Sequence, residues 1–346
     1  MPGSDGICTT VDGTKFTCGC DTNNYFWNGS RCMTKRAFGN ICTGITKCYD
    51  ESANEISCAD SGEFYGQDAH YAEAGTCTPQ SFTIRNPYGH PEEEIVIDNN
   101  LELEWQKNIS KDKFDWQHAI NYCADLDYGG YKDWRLPKPK ELLSIVNYSR
   151  HNPPTDTAYF AEGGTSTSKA FWTSKKDAHN SAKAWGVGFY DNYSAGNLYS
   201  YSNDTALYIR CVRGKILPES PTLTVSTKNR DEIVTDNLTG LIWKKTFTNN
   251  ASWTSALAYC ENLEYAGYDD WRLPNILELA SLINLNYSSH ASDFPSINTV
   301  RPPWSSSTNP FYTTGYTNNW TVDYYDGELT IKLLNDSTNV NTVCVR

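Results

Sequence analysis

Apolar and polar positions follow one scheme twice along this chain. Trp116, Ala119, Ile120, Cys123 and Leu126 fall at i, i+3, i+4, i+7 and i+10, and so do Trp253, Ala256, Leu257, Cys260 and Leu263. That spacing puts one apolar stripe on an α-helix, and Asp115 and Ser252 stand where an N-cap belongs. Upstream of each helix, Glu94 to Trp105 and Glu232 to Trp243 read as two short strands, with turns at Asp98-Asn99-Asn100 and Asp236-Asn237. A second helix is expected after Leu136-Pro137 and Leu273-Pro274, with core positions Leu142, Ile145 and Val146, or Leu279, Leu282 and Ile283. Asn275 and Glu278 make an N-x-x-E start close to a capping box; in the first copy Lys138 takes the cap position and Pro139 the first helical one. After an irregular loop of about 20 residues, Ala184 to Tyr190 and Trp320 to Tyr325 alternate as strands do. They end at Asp191-Asn192 and Asp326-Gly327, dipeptides suited to type I′ hairpin turns because both positions tolerate positive φ.

This scheme is an internal repeat. The run Tyr128 to Pro137, YGGYKDWRLP, recurs at Tyr265 to Pro274 as YAGYDDWRLP, 137 residues later. Trp172-Thr173-Ser174 answers Trp304-Ser305-Ser306, and Cys211-Val212-Arg213 answers Cys344-Val345-Arg346. The expected organisation is α+β: a first repeat over 83–215, a second over 220–346, and a separate segment over 1–80.

The cysteines divide the same way. Eight of the 12 lie within the first 77 residues, in a segment rich in Gly, Asp, Asn, Ser and Thr. Such a segment buries too little apolar surface to fold unaided, so disulfides are expected to staple it. Eight cysteines permit 105 connectivities, and the sequence does not choose among them. A zinc site needs CxxC or Cys/His spacing, which this segment lacks. In the repeats one cysteine falls on the first helix and one on the last strand, so Cys123 is expected to pair with Cys211 and Cys260 with Cys344. Twelve cysteines point to an oxidising compartment, outside the cell or on a bacterial surface. No basic start or apolar run marks an export signal at Met1-Pro2-Gly3-Ser4-Asp5, and the chain reads as a mature or trimmed form.

The net charge of −12 and the absence of a basic run argue against nucleic acid as a partner. They also weigh against broad binding of sulfated polysaccharide. No apolar run reaches the roughly 18 residues of a membrane-spanning helix.

At Asp-Trp-Arg-Leu-Pro followed by Glu-Leu, with Trp-Thr-Ser or Trp-Ser-Ser and a final Cys-Val-Arg, both repeats resemble the C-terminal domain family of the Legionella collagen-like adhesin. Asn147-Tyr148-Ser149-Arg150, Asn152-Pro153, Asp156 and Phe160 extend the likeness in repeat one, while repeat two departs there with Asn286-Tyr287-Ser288-Ser289-His290 and Arg301-Pro302-Pro303. The resemblance implies two tandem C-type-lectin-like domains and a role in attachment, with sulfated glycosaminoglycan as one ligand class. Outside it, Cys18-Gly19-Cys20 to Cys32 resembles small EGF-like or EB-type modules.

Arg135 and Arg272 admit two readings, as binders of carboxylate or phosphate or as structural partners of Glu141 and Glu278. Their recurrence in both copies favours the structural one, in which a guanidinium fork fixes a helix against a loop, with Trp134 and Trp271 as core anchors. Ligand contacts are expected from aromatics near the last strands: Tyr190, Tyr193, Tyr199 and Tyr201, then Tyr312, Tyr316, Tyr324 and Tyr325, with Asp326 beside them. Aromatic faces stack on sugars; cross-strand packing is the rival role. Asp323, Asp326 and Glu328 read as a solvated turn. The six histidines do not coincide between the repeats, and no hydrolase, P-loop or dinucleotide fingerprint occurs. The expectation is a non-enzymatic recognition protein without cofactor or metal. Its partner would be a glycan or protein on a surface or, if it builds a fibre or coat, copies of itself.

Overall fold

The computed structural model describes residues 37–346 except 59–60, 151–152, 162–167, 191–195, 250–251, 288–290, 296–300, 310–317 and 334–339, together with four short strands within 1–36. Those four pair as Ile7–Val11 with Lys15–Gly19 and Tyr25–Trp27 with Cys32–Thr34. Residues 37–80 hold a 3-10 turn at Phe38–Asn40 and helix α1, Asp68–Glu73. Disulfides join Cys42 to Cys77 and Cys48 to Cys58; the pairing of Cys8, Cys18, Cys20 and Cys32 lies outside the described residues.

Repeat one runs β1 (Phe82–Arg85), β2 (Ile95–Asp98), β3 (Leu103–Gln106), α2 (Trp116–Ala124), α3 (Pro139–Leu143), β4 (Ser168–Lys176), β5 (Lys183–Tyr190), β6 (Asn197–Ser202) and β7 (Val212–Gly214). Its strands form two antiparallel sheets, ordered β7-β3-β2-β1 and β4-β5-β6. Repeat two runs β8 (Leu223–Lys228), β9 (Asp231–Asp236), β10 (Ile242–Lys244), α4 (Trp253–Glu261), α5 (Ile276–Ser281), β11 (Trp304–Asn309), β12 (Asn318–Val322) and β13 (Leu329–Leu333). The sheets here are β8-β9-β10 and β11-β12-β13. The end of the chain adds bridges from Val345 to Trp243 and Arg272, as Val212 bridges Arg135. The protein is therefore α+β, built mostly from small antiparallel sheets.

Local chemistry explains the shared elements. Buried Asp98 accepts from the N–H groups of Asn100 and Leu101 at 2.9 and 3.0 Å, which turns β2 into β3. Asp236 does the same through Leu238 N–H and the Thr239 hydroxyl at 3.0 and 2.8 Å. Asp115 caps α2 by accepting from His118 N–H, and Ser252 caps α4 by accepting from Ser255 N–H. At α5 the capping box is complete: Asn275 accepts from Glu278 N–H at 2.9 Å, and Glu278 accepts from Asn275 N–H at 2.8 Å. Cys123 is joined to Cys211 and Cys260 to Cys344, tying the first helix of each repeat to its last segment.

Two local expectations fail. The second helices end at Leu143 and Ser281, so Ile145, Val146, Leu282 and Ile283 are buried but lie past the helical turns. In repeat two the hairpin is not closed by a two-residue type I′ turn at Asp326-Gly327. The strand ends at Val322, and 323–328 form a longer loop in which Gly327 alone has positive φ. Asp323 N–H donates to Glu328 O, and Gly327 N–H to Asp323 O. The loop is wide because Tyr324 turns inward instead of continuing the strand. The equivalent turn at Asp191-Asn192 lies outside the described residues.

Packing joins the repeats instead of stringing them apart. Each has an outer core under its first helix: Trp116, Cys123, Trp134 and Trp172 in repeat one, Trp253, Cys260, Trp271 and Trp304 in repeat two. A third, central core is continuous across both repeats and residues 37–80. It includes Phe38, Ile41, Leu142, Val146, Trp185, Leu279, Leu282 and Trp320. Tyr148 meets Trp320 edge to face with ring centroids 5.1 Å apart, and the buried Lys140 ammonium donates to Ser281 O at 2.8 Å. Residues 37–80 bind both halves: Asn40 Nδ2 donates to Thr239 O, and Tyr148 N–H donates to Thr43 O. The second half of the cysteine-rich segment is thus part of the same body as the repeats.

Candidate functional site

The Trp-Arg-Leu-Pro turns are built alike. Trp134 and Trp271 are buried, and their indole N–H groups donate to Tyr128 O and Tyr265 O at 3.0 and 3.1 Å. Arg135 meets both Glu141 oxygens at 2.7 and 2.8 Å, and Arg272 meets both Glu278 oxygens at 2.7 and 2.5 Å. Each glutamate also caps its own helix, through Lys138 N–H or Asn275 N–H at 2.8 Å. Both guanidinium forks are occupied from within the chain, so these arginines hold the second helix to the preceding loop.

The aromatic candidates do not form one face. Tyr324 is 1% exposed, and its hydroxyl donates to Leu279 O at 2.7 Å; burial raises its phenol well above the usual value. It belongs to the central core, which corrects its assignment as a ligand contact. Tyr325, next along the loop, is 58% exposed. Its ring lies 6.2 Å from that of His179 of repeat one, so it sits on the seam between the repeats. Asp326 is half-buried, and its Oδ1 accepts from Glu328 N–H. Burial, then Asp326 and Asp323, push the Glu328 carboxyl up to about 7. Tyr201 is half-buried against the outer core of repeat one, edge to face with Trp172 and close over Gly186, where a Cβ would stand 3.0 Å from the ring. Tyr199 meets Tyr201 at 6.5 Å. The side chain of Tyr190 and the whole of Tyr193, Tyr312 and Tyr316 lie outside the described residues.

The profile of the Lcl C-terminal domain matches this chain twice, at residues 94–213 and 232–346. The chain belongs to the Lcl C-terminal domain family. A search of curated proteins finds no match. The two Lcl C-terminal domains coincide with the two tandem copies read from the sequence.

The structure also brings forward residues that the repeat pattern passes over. Tyr71 of α1 lies over Arg272 and hydrogen-bonds Glu261 through its hydroxyl. Asp68 is buried between Thr43 and Ser307, accepting from both hydroxyls at 2.6 and 2.7 Å; burial raises its carboxyl to about 6. Neither residue lies in an Lcl C-terminal domain, so comparing the copies gives no signal for them. A cleft of about 750 Å³ opens where residues 42–82 meet the loop after α3. Its Asn147 and Asp156 belong to the family-like stretch of repeat one, and that stretch was the available signal.

Proposed function

We propose that this chain is a non-enzymatic extracellular recognition protein, an adhesin whose two Lcl C-terminal domains form one rigid attachment head. The observation that carries this reading is the double family match on domains that share a core. A shared core fixes the spacing of the two loop sets, so both can engage one surface with the gain of multivalency and without the entropy of a flexible linker. Each domain is read as a variant of the C-type-lectin-like fold, in which chain ends pair, as β3 with β7, and exposed loops vary on a fixed scaffold. Four disulfides among the described residues support an oxidising compartment.

The reading as non-catalytic takes three of the described histidines as structural. His90, His118 and His179 each pair with a carboxylate nearby in sequence, Glu93, Asp115 and Asp177. These are local turn and cap contacts. The partner is a glycan or protein on a surface, and Tyr325 is the residue assigned to touch it. The test is retention of cells on immobilised full chain. Tyr325→Ala should reduce retention at unchanged melting temperature; unchanged retention would remove the seam from the contact face.

A further inference from the structure

The cleft between the cysteine-rich segment and repeat one has walls fixed by the fold. Cys42, held by its bridge to Cys77, lines it. Gln80 lines it too, and its Nε2 donates to Ser144 O and Val146 O at 2.7 and 2.9 Å. Asn147 Oδ1 accepts from Ser149 N–H and its hydroxyl at 3.0 and 2.6 Å. Phe82 and Tyr159 supply adjacent half-buried aromatic rings, 5.6 Å between centroids. The volume of about 750 Å³ falls in the range of roughly 300–1,000 Å³ usual for small-ligand sites.

Comparison of the two repeats shows what is particular here. In repeat two, Asn284 occupies the place of Asn147, and Asp293 that of Asp156. The matching hydroxyls fix this register: Thr155 donates to Ile145 O as Ser292 donates to Leu282 O. There Asn284 Nδ2 donates to Asp293 Oδ2 at 2.5 Å, and the Tyr287 hydroxyl donates to Asp293 Oδ1 at 2.5 Å. The polar groups of that loop satisfy one another. In repeat one the same amide and carboxylate are apart. Among the described residues Asn147 Nδ2, the Tyr159 hydroxyl and Asp156 Oδ2 make no hydrogen bond; Asp156 Oδ1 accepts from Ala158 N–H and lies 3.6 Å from Arg150. Glu73 stands exposed on the rim.

We propose that this cleft binds an uncharged saccharide, a ring stacking on Tyr159 and Phe82 while its hydroxyls bond Asn147, Asp156 and Glu73. Mixed donors and acceptors beside an aromatic surface suit hydroxylated rings. Glu73 and Asp156 are the carboxylates there, Asp156 lying 3.6 Å from Arg150, and no lysine or arginine is among the described lining residues, so nothing in the lining favours a strongly anionic sugar over a neutral one. The site deepens the recognition reading and rests on it, but it is separate from the seam at Tyr325.

The experiment is saturation-transfer NMR on the full chain with tetrasaccharides of glucose, galactose and N-acetylglucosamine, a heparin tetrasaccharide, and a lysine-rich peptide. Transfer to a neutral tetrasaccharide is expected, weakened about tenfold or more by Tyr159→Ala and by Asp156→Asn. Asp156→Asn keeps the side-chain shape, so its effect stands even if Tyr159→Ala disturbs packing on Phe82. Tyr325→Ala should leave this signal unchanged, which separates failure of the cleft from failure of the seam. Transfer only to heparin or to the peptide, no transfer at all, or neutral-sugar binding indifferent to both cleft variants would overturn the proposal.

Discussion

The ring of Tyr71 covers the guanidinium of Arg272, with 5.3 Å from Cζ to the ring centroid. Tyr71 comes from the cysteine-rich segment and Arg272 from the second repeat, so the contact closes a buried pair from outside the domain. Burial works against the charge on Arg272, but Glu278 beside it outweighs that and holds the guanidinium firmly protonated. Its side chain is 10% exposed, against 24% for Arg135, which pairs with Glu141 and has no ring over it among the described residues.

Arg272→Ala should therefore cost more than Arg135→Ala. Removing Arg272 strands the Glu278 carboxylate in the core, a loss of about 3–5 kcal/mol for a broken buried pair. Arg135→Ala also strands a buried carboxylate, but Glu141 keeps two backbone donors, Lys138 N–H and Leu217 N–H at 2.8 and 3.0 Å, so this variant is expected to lose less. Chemical denaturation of the two full-length variants measures the difference; equal losses would show that the Tyr71 cover has no energetic effect.

Lys140 gives the joint between the repeats a pH dependence. Burial lowers its ammonium to about 7 from the usual 10.5, despite Asp236, Glu219 and Asp293 acting in the other direction. Between about pH 7 and 10.5 the unfolded chain holds a proton that the folded chain has released, so this residue makes stability rise with pH across that window. Below pH 7 the charged form is buried at full cost. Lys140→Met should stabilise the protein at pH 6 by on the order of a few kcal/mol, with the gain fading towards pH 10.5. Melting curves of both proteins across that range test the sign, and a constant difference would contradict it.

Tyr324 and Tyr325 should behave oppositely although adjacent. Tyr324→Ala empties a core position and leaves Leu279 O without its donor, for a cost of about 3–5 kcal/mol. Tyr325→Ala removes an exposed ring and should move stability by less than about 0.5 kcal/mol. Thermal melts decide the matter, and similar losses would mean that the Tyr325 ring also carries the fold.

This adjacent pair shows where reading the sequence stops. The helices were legible because Trp116, Ala119 and Cys123 repeat at helical spacing and Asp115 and Asn275 are cap residues by chemistry. The tandem organisation was legible because the Trp-Arg-Leu-Pro turn recurs intact. Alternation through Trp320 to Tyr325 suggested a strand, yet Tyr324 leaves the ladder to reach Leu279 O, a partner 45 residues away that no local pattern announces. Strands β1 and β8 carry no such pattern either. Β8 reads Leu-Thr-Val-Ser-Thr-Lys and is mostly exposed at the edge of its sheet, so it lacks a buried face to mark it. The fusion of the repeats was hidden for a related reason. The apolar faces of α3 and α5 could have been buried within each domain, and only the tertiary arrangement shows them in one core.

The disulfide from first helix to last segment should matter in both repeats. Replacing Cys260 and Cys344 together by alanine is expected to cost about 2–5 kcal/mol. Because the central core spans the repeats, the loss should appear as a shift of one cooperative transition for the full chain. Two separated transitions by calorimetry would show that the domains unfold independently.

Attachment by a single rigid head is tested most directly by measuring cell-surface binding of the soluble full chain over a concentration series, with light scattering on the same samples. Saturable binding by monomeric protein is expected, weakened by Tyr325→Ala without a change in melting temperature. Growth into filaments with no retention on any cell surface would contradict it and assign the exposed loops to contacts between copies of the chain.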